Sequence, residues 1–133
     1  MLCRRGSIFF VEYQDSVVGS EQKAGRPAII VSNNKINKHS DVVEVVYLTT
    51  RKKCFAATHV PIQSTGVLST ALCEQIHSVA RQRLGSYFGK CTQGELQKID
   101  DALLISLGMN KDFKRNNPHF TRAKLNDTAD NLR

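Results

Sequence analysis

No CxxC pair, no run of apolar residues long enough to cross a membrane and no excess of acid are found in this chain, and each absence narrows its class. The four cysteines, Cys3, Cys54, Cys73 and Cys91, lie far apart. Such spacing excludes a zinc ribbon or a vicinal redox pair and leads us to expect reduced thiols in the cytoplasm. A helical membrane span needs about 20 apolar residues in succession, and neither that nor the apolar core of a secretory leader is visible. Acidic residues are the scarcer charge, 12 Asp and Glu against 19 Lys and Arg, for a net charge of +7. That balance favours a polyanionic ligand, either nucleic acid or an acidic protein segment. Internal repeats and low-complexity tracts are lacking too.

What is present is a single domain's worth of chain. At 133 residues, 41% of them hydrophobic, it should bury roughly two thirds of the surface its unfolded form exposes, around one core. Ser7 to Tyr13, Pro27 to Asn33, Val42 to Thr50 and Thr58 to Gln63 are short runs rich in β-branched and aromatic residues and are predicted strands. Leu84 to Gly89 adds another. Leu68 to Val79 is ambiguous, because Leu68, Leu72 and Ile76 also fit one face of a short helix. From Thr92 the texture changes. Thr92 with Glu95 forms a capping-box signature, Leu96, Ile99, Leu103 and Leu107 recur at helical spacing, and Gly108 is placed to stop the helix. One strong helix among five or six short strands predicts an α+β domain, a small curled antiparallel sheet or barrel closed by a helix. Residues 1–108 are expected to form that domain. Residues 109–133 carry six basic and three acidic side chains among sparse apolar ones, and are expected to be a loosely ordered basic tail.

The most informative stretch is GSEQKAGRPAIIVSN, Gly19 to Asn33. A connection from Gln14 to Arg26 is long for a hairpin, which points to a functional loop. Pro27 donates no ladder hydrogen bond and suits the start of a strand, so Arg26 is fixed at the sheet rim with an open front, as a guanidinium meeting a phosphate requires. Thr49 and Thr50 end the third predicted strand beside Arg51, Lys52 and Lys53. If that strand lies near the second, one hydroxyl shares a pocket with Arg26. Phe55 adds an aromatic ring to the basic loop, a pattern that suits tracking along RNA. His39, His59, His77 and His119 stand in separate segments, where surface or packing roles are the ordinary outcome.

In the order RRGSIFFVEY, VVGSEQKAGRPAIIVSN, NKHS, LTT, THV, LCEQIHSVARQRLG and DDALLISLG, the chain from Arg5 to Gly108 resembles the MazF, PemK and Kid endoribonuclease toxins of type II toxin–antitoxin systems. GSEQ followed by RP is the specific part. The resemblance implies an SH3-like small antiparallel β-barrel with a C-terminal helix, a symmetric homodimer, and metal-independent, cofactor-free cleavage of single-stranded RNA at short sequences in messenger RNA. It also implies a cognate antitoxin whose acidic, initially disordered segment lies across the RNA groove, with DNA reached only indirectly through that antitoxin and no membrane involved.

By the same resemblance Arg26 matches the catalytic arginine, Thr49 the phosphate-contacting threonine, and Glu21 an acid that serves as base. Ser20, Gln22 and Lys23 line the same loop. Thr50, Arg51, Lys52 and Lys53, together with Glu74 and Gln75 of the CEQ segment, are expected RNA contacts. Ser7 and Asn34 stand where relatives commonly carry acids, which bears on groove electrostatics rather than on the reacting groups. Two other readings keep the fold: a non-catalytic RNA-binding module, and a protein-binding module like the CcdB gyrase poisons, whose tryptophan-bearing end has no counterpart in a chain without Trp.

Overall fold

A computed structural model describes residues 3–12 and 25–111 of the chain. In order these form β1 (Ser7–Val11), β2 (Arg26–Ile30), α1 (Asn34–His39), β3 (Val42–Thr49), β4 (His59–Ile62), β5 (Ser69–Ala80), a 3₁₀ turn at Arg81–Arg83, β6 (Leu84–Lys90) and α2 (Gln93–Ser106). All predicted strands are present. The ambiguous segment is a strand, twelve residues long, and the functional loop expected before Arg26 lies outside the described residues, as does the tail from residue 112 onward. The structure adds α1, where a polar loop was expected. Asn33 starts it by accepting from the Ile36 amide at 2.8 Å, and Asn34 is therefore a first-turn helical residue rather than part of a loop.

The strands make one antiparallel sheet of order β4-β5-β3-β2-β1-β6. The domain is α+β as predicted, but the barrel is not closed by hydrogen bonds: β4 and β6 remain its two edges. β4 is only four residues long, and α2 packs across β4 and β5, so that end of the sheet is covered by a helix instead of joined to a strand.

Both faces of the sheet are buried. One face sends Ile8, Ile29, Val46, Leu48, Val60, Ile62, Ala71 and Cys73 against Ile99 and Ala102 of α2. The other gathers Phe9, Val11, Ala28, Ile30, Val43, Val45, Tyr47 and Val79. Each large aliphatic side chain withdrawn from water in this way contributes on the order of 1.5–3 kcal/mol. Burial on both faces explains why β3 reads VVEVVYLT with little apolar–polar alternation. α2 begins with the predicted capping box: Thr92 accepts from the Glu95 amide at 3.1 Å, and Glu95 accepts from the Thr92 amide at 3.0 Å. Glu95 also accepts from the Gln63 amide at 2.7 Å, tying the helix to the β4–β5 turn. Gly108, at φ 71°, ends the helix in the left-handed region, as predicted.

A buried ion pair locks the chain's beginning to this helix. Arg5 donates its Nε to the Val31 carbonyl at 2.9 Å and an Nη to Asp100, with 13% and 5% of the two side chains exposed. Removing Asp100 would leave the Arg5 guanidinium largely out of water without its carboxylate, which costs far more than losing a surface pair does. Asp100→Ala is therefore expected to lower unfolding free energy by about 3–5 kcal/mol in urea titration, whereas the double change Arg5→Met with Asp100→Leu, which removes both charges, should lose much less.

Candidate functional site

The rim residue Arg26 owes its position to the glycine before it. A Cβ on Gly25 would lie 2.4 Å from the Val11 carbonyl oxygen and 2.4 Å from Phe10 Cε1, so only glycine allows β2 to start this close to β1. Arg26 then pairs with Val11, and Pro27 with Phe10. Pairing of β2 with β3 begins at Ala28, opposite Tyr47. The missing N–H of Pro27 thus falls before that ladder starts, although Pro27 is the second residue of the strand and not the first.

Extended by two residues, the same β2–β3 register sets Arg26 opposite Thr49. Side chains alternate along strands, so both lie on the face of Ala28 and Tyr47. The Arg26 guanidinium rests over the Tyr47 ring, 5.1 Å from its centroid. Tyr47 in turn meets His77 of β5 edge-on at 4.9 Å. Thr49 pairs with Thr70 on β5, and its hydroxyl accepts from the Arg51 amide at 3.2 Å. The structure therefore brings together Arg26, Thr49, Tyr47 and His77 at one end of one face.

Tyr47 and His77 were not singled out as site residues in the sequence. Their placement follows from strand register, with Val45 opposite His77, and no local motif announces it. Burial, and then the nearby Arg26 charge, push the His77 imidazole below its ordinary 6.5, so the ring is neutral at neutral pH. Among the described residues, neither ring nitrogen of His77 has a hydrogen-bond partner.

Other predicted residues are distributed differently. Glu21, Ser20, Gln22 and Lys23 lie outside the described residues. Thr50, Arg51, Lys52 and Lys53 are exposed in the β3–β4 loop. Glu74 and Gln75 are exposed on β5, within the irregular stretch where its register against β3 shifts. Glu74 is engaged inside the protein, accepting from the Thr58 hydroxyl at 3.1 Å and meeting His59 Nε2 at 2.9 Å. The four cysteines are unbridged, and burial pushes the Cys73 and Cys91 thiols each up to about 12, which keeps them protonated and inert. Among the described residues no three His, Cys, Asp or Glu side chains converge as a metal-binding group. No helix among them is long and apolar enough to cross a membrane.

An antiparallel sheet backed by one helix, with an arginine, a threonine and an imidazole at the rim of its other face, defines a small α+β domain. Residues 4–107 match the model of the PemK-like, MazF-like toxins of type II toxin–antitoxin systems, and the chain belongs to that family. Solved structures agree. An endoribonuclease from a mycobacterial species is 27% identical, with a TM-score of 0.68 over 82% of this chain and 94% of that one. Another mycobacterial endoribonuclease, in complex with its cognate antitoxin, is 30% identical, with a TM-score of 0.67 over 80% and 95%. MazF from Deinococcus radiodurans, at 22% identity, shares the fold with a TM-score of 0.69 over 82% and 99%.

Coupling between Arg26 and His77 is open to measurement by NMR titration of the imidazole. Arg26→Ala should raise the His77 pKa, because a cation that disfavours the imidazolium is removed, yet leave it below 6.5, because burial is the larger cause and persists. An unchanged midpoint would show that the two side chains do not share a site.

Proposed function

We propose that the chain is the toxin component of a type II toxin–antitoxin system and cleaves single-stranded RNA without a metal ion. The reading is carried by Arg26, held at the rim by Gly25, resting over the Tyr47 ring and, by extension of the β2–β3 register, opposite Thr49. The chain's membership in a toxin family and its likeness to two endoribonucleases support it.

Cleavage without metal uses the ribose 2′-hydroxyl as nucleophile. The 2′-oxygen bonds to phosphorus and its proton leaves to a base. The bond from phosphorus to the 5′-oxygen then breaks, and that oxygen takes up a proton, giving a 2′,3′-cyclic phosphate and a 5′-hydroxyl. Between these steps a phosphorane carries two negative charges, and stabilising it is the principal demand. Arg26 suits that demand because it is permanently charged and presents a rigid fork of donors, while Thr49 donates to a nonbridging oxygen. Glu21 is the proposed base. His77, kept neutral beside Arg26, is a second group able to accept the 2′ proton.

The β3–β4 loop cations and the rim of β5 with Gln75 form the proposed RNA surface, to which the family resemblance adds Ser20, Gln22 and Lys23. Its basic character suits an acidic antitoxin segment as the competing occupant, and we take the protein to work as a cytoplasmic homodimer. Residues 1–108 make the toxin domain in this reading and 109–133 an extension.

Incubation with a long single-stranded RNA in EDTA, with mapping of the ends, tests the proposal. Discrete cuts bearing cyclic phosphate and 5′-hydroxyl ends are expected, slowed about 10²–10³-fold or more in Arg26→Ala, the range typical for removing one donor to a transition-state oxyanion. Intact RNA from folded protein would favour a binding module instead. Glu21→Gln and His77→Gln identify the base. The variant that loses the acidic limb of the pH–rate profile has lost the group that accepts the proton.

A further inference from the structure

The β3–β4 loop, whose cations belong to the proposed RNA surface, also holds an aromatic ring and a histidine contact to which that reading gives no role. Arg51, Lys52, Lys53, Cys54 and Phe55 are all exposed, and Phe55 has 97% of its surface open to water. An aromatic ring presented so fully beside three cations is the arrangement by which proteins hold an unpaired strand: the ring stacks on a base and the cations follow the phosphates.

His59, the first residue of β4, fastens this loop. Its Nδ1 lies 2.9 Å from the Cys54 carbonyl oxygen and its Nε2 lies 2.9 Å from Glu74 Oε2. A carbonyl oxygen and an ionised carboxylate can only accept, so both ring nitrogens must donate. Neutral imidazole has one N–H and can satisfy only one of them. The imidazolium satisfies both. Glu74 is steadied in turn by the Thr58 hydroxyl.

We propose that Arg51 to Phe55 form a gripping arm for single-stranded RNA, with Phe55 as the base-stacking platform and the His59 imidazolium as the latch that sets it. The RNA identity of the ligand rests on the endoribonuclease reading. His59 is a positioning residue: it acts through the Cys54 carbonyl, one residue from the ring. RNA is favoured over an acidic peptide because cations alone would serve the peptide, whereas the exposed ring matches a base.

The charged groups facing His59 among the described residues are Glu74 of β5 and Lys53 of the loop. Hydrogen bonding to Glu74, and then to the Cys54 carbonyl, raises the His59 pKa above 6.5 against burial and Lys53. For Glu74, burial pushes upward, but hydrogen bonds from His59, from its own backbone amide and from Thr58 outweigh it and hold the carboxyl below 4.5. The latch is therefore complete between those two pKa values. It is lost as pH rises through the raised His59 pKa, and lost again as pH falls through the lowered Glu74 pKa.

Fluorescence anisotropy with the full chain and a 2′-O-methylated single-stranded oligonucleotide of mixed sequence, which cannot be cut because its nucleophile is blocked, tests both parts. Phe55→Ala is expected to weaken binding about tenfold, with Phe55→Trp restoring it and Phe55→Leu not, since only a π-face can stack. Wild-type affinity should fall between about pH 6 and about pH 9 beyond the fall shown by His59→Gln or Glu74→Gln, and NMR of the free protein should show two imidazole N–H protons on His59 below its pKa. Equal binding by Phe55→Ala and wild type, or equal rescue by Leu and Trp, overturns the arm. Matching pH dependence in wild type and His59→Gln overturns the latch. If Phe55→Ala keeps the oligonucleotide but loses a glutamate-rich peptide, the arm belongs to a protein partner and the RNA assignment is overturned. Cleavage of long RNA is scored apart: a wild type that binds through Phe55 without cutting supports the arm and removes the nuclease reading, whereas one that cuts while Phe55→Ala binds and cuts equally removes the arm alone.

Discussion

The close approach of β1 and β2 at Gly25 is the constraint on which the rim depends. No side chain fits between Gly25 and the Val11 carbonyl, so the strand must start at this contact. Everything downstream inherits the register it imposes: Arg26 beside Val11, Ala28 beside Tyr47, and by extension Arg26 across from Thr49. Backbone geometry and packing place Arg26, and among the described residues no carboxylate pairs with it. A guanidinium placed in this manner keeps its donors for an incoming group.

The sheet can present a polar rim because its two faces are already spent on burial. α2 covers one face and a second buried cluster, with Leu84 packed against it, fills the other, which leaves the strand ends and the β3–β4 loop for chemistry. The Arg5–Asp100 pair and the Glu95 bonds to the β4–β5 turn fix α2 at both of its approaches to the sheet. A rigid scaffold with functional groups at its margins is the arrangement that lets a site be held within narrow tolerances.

Much of this was legible in the residues. β-branched runs marked the strands through side-chain propensity, and Thr92 with Glu95 marked the start of α2 through local hydrogen bonds. α1 escaped notice since it spans six residues, too few for a helical period to appear, and Asn33 is as common a turn residue as a cap. The ambiguity of β5 has a physical origin. Its register against β3 shifts between the Val46 and Leu48 pairings, so Ala71 and Cys73 face the same core as Ile76 and the alternation of a regular strand is broken. Glu74 was expected to contact RNA, and its bonds to Thr58 and His59 were not visible because those partners are distant in the chain. Tyr47 and His77 beside Arg26 depend on cross-strand register, which no single segment encodes.

The choice of an aromatic support for Arg26 has an electrostatic logic. Had a carboxylate held the guanidinium, the pair would be nearly neutral, and a phosphate would have to displace the acid or share its donors. The Tyr47 ring attracts the cation through its quadrupole without occupying an N–H, so Arg26 is oriented while its full charge remains available. Burial, and then the same charge, disfavour the imidazolium at His77 and leave a neutral acceptor beside a permanent cation. At His59 the sign is reversed: two acceptors, one of them a carboxylate, favour the imidazolium. Two histidines in strands of one sheet are thus shifted in opposite directions by their surroundings, one toward taking up a proton and the other toward holding a loop with both of its own.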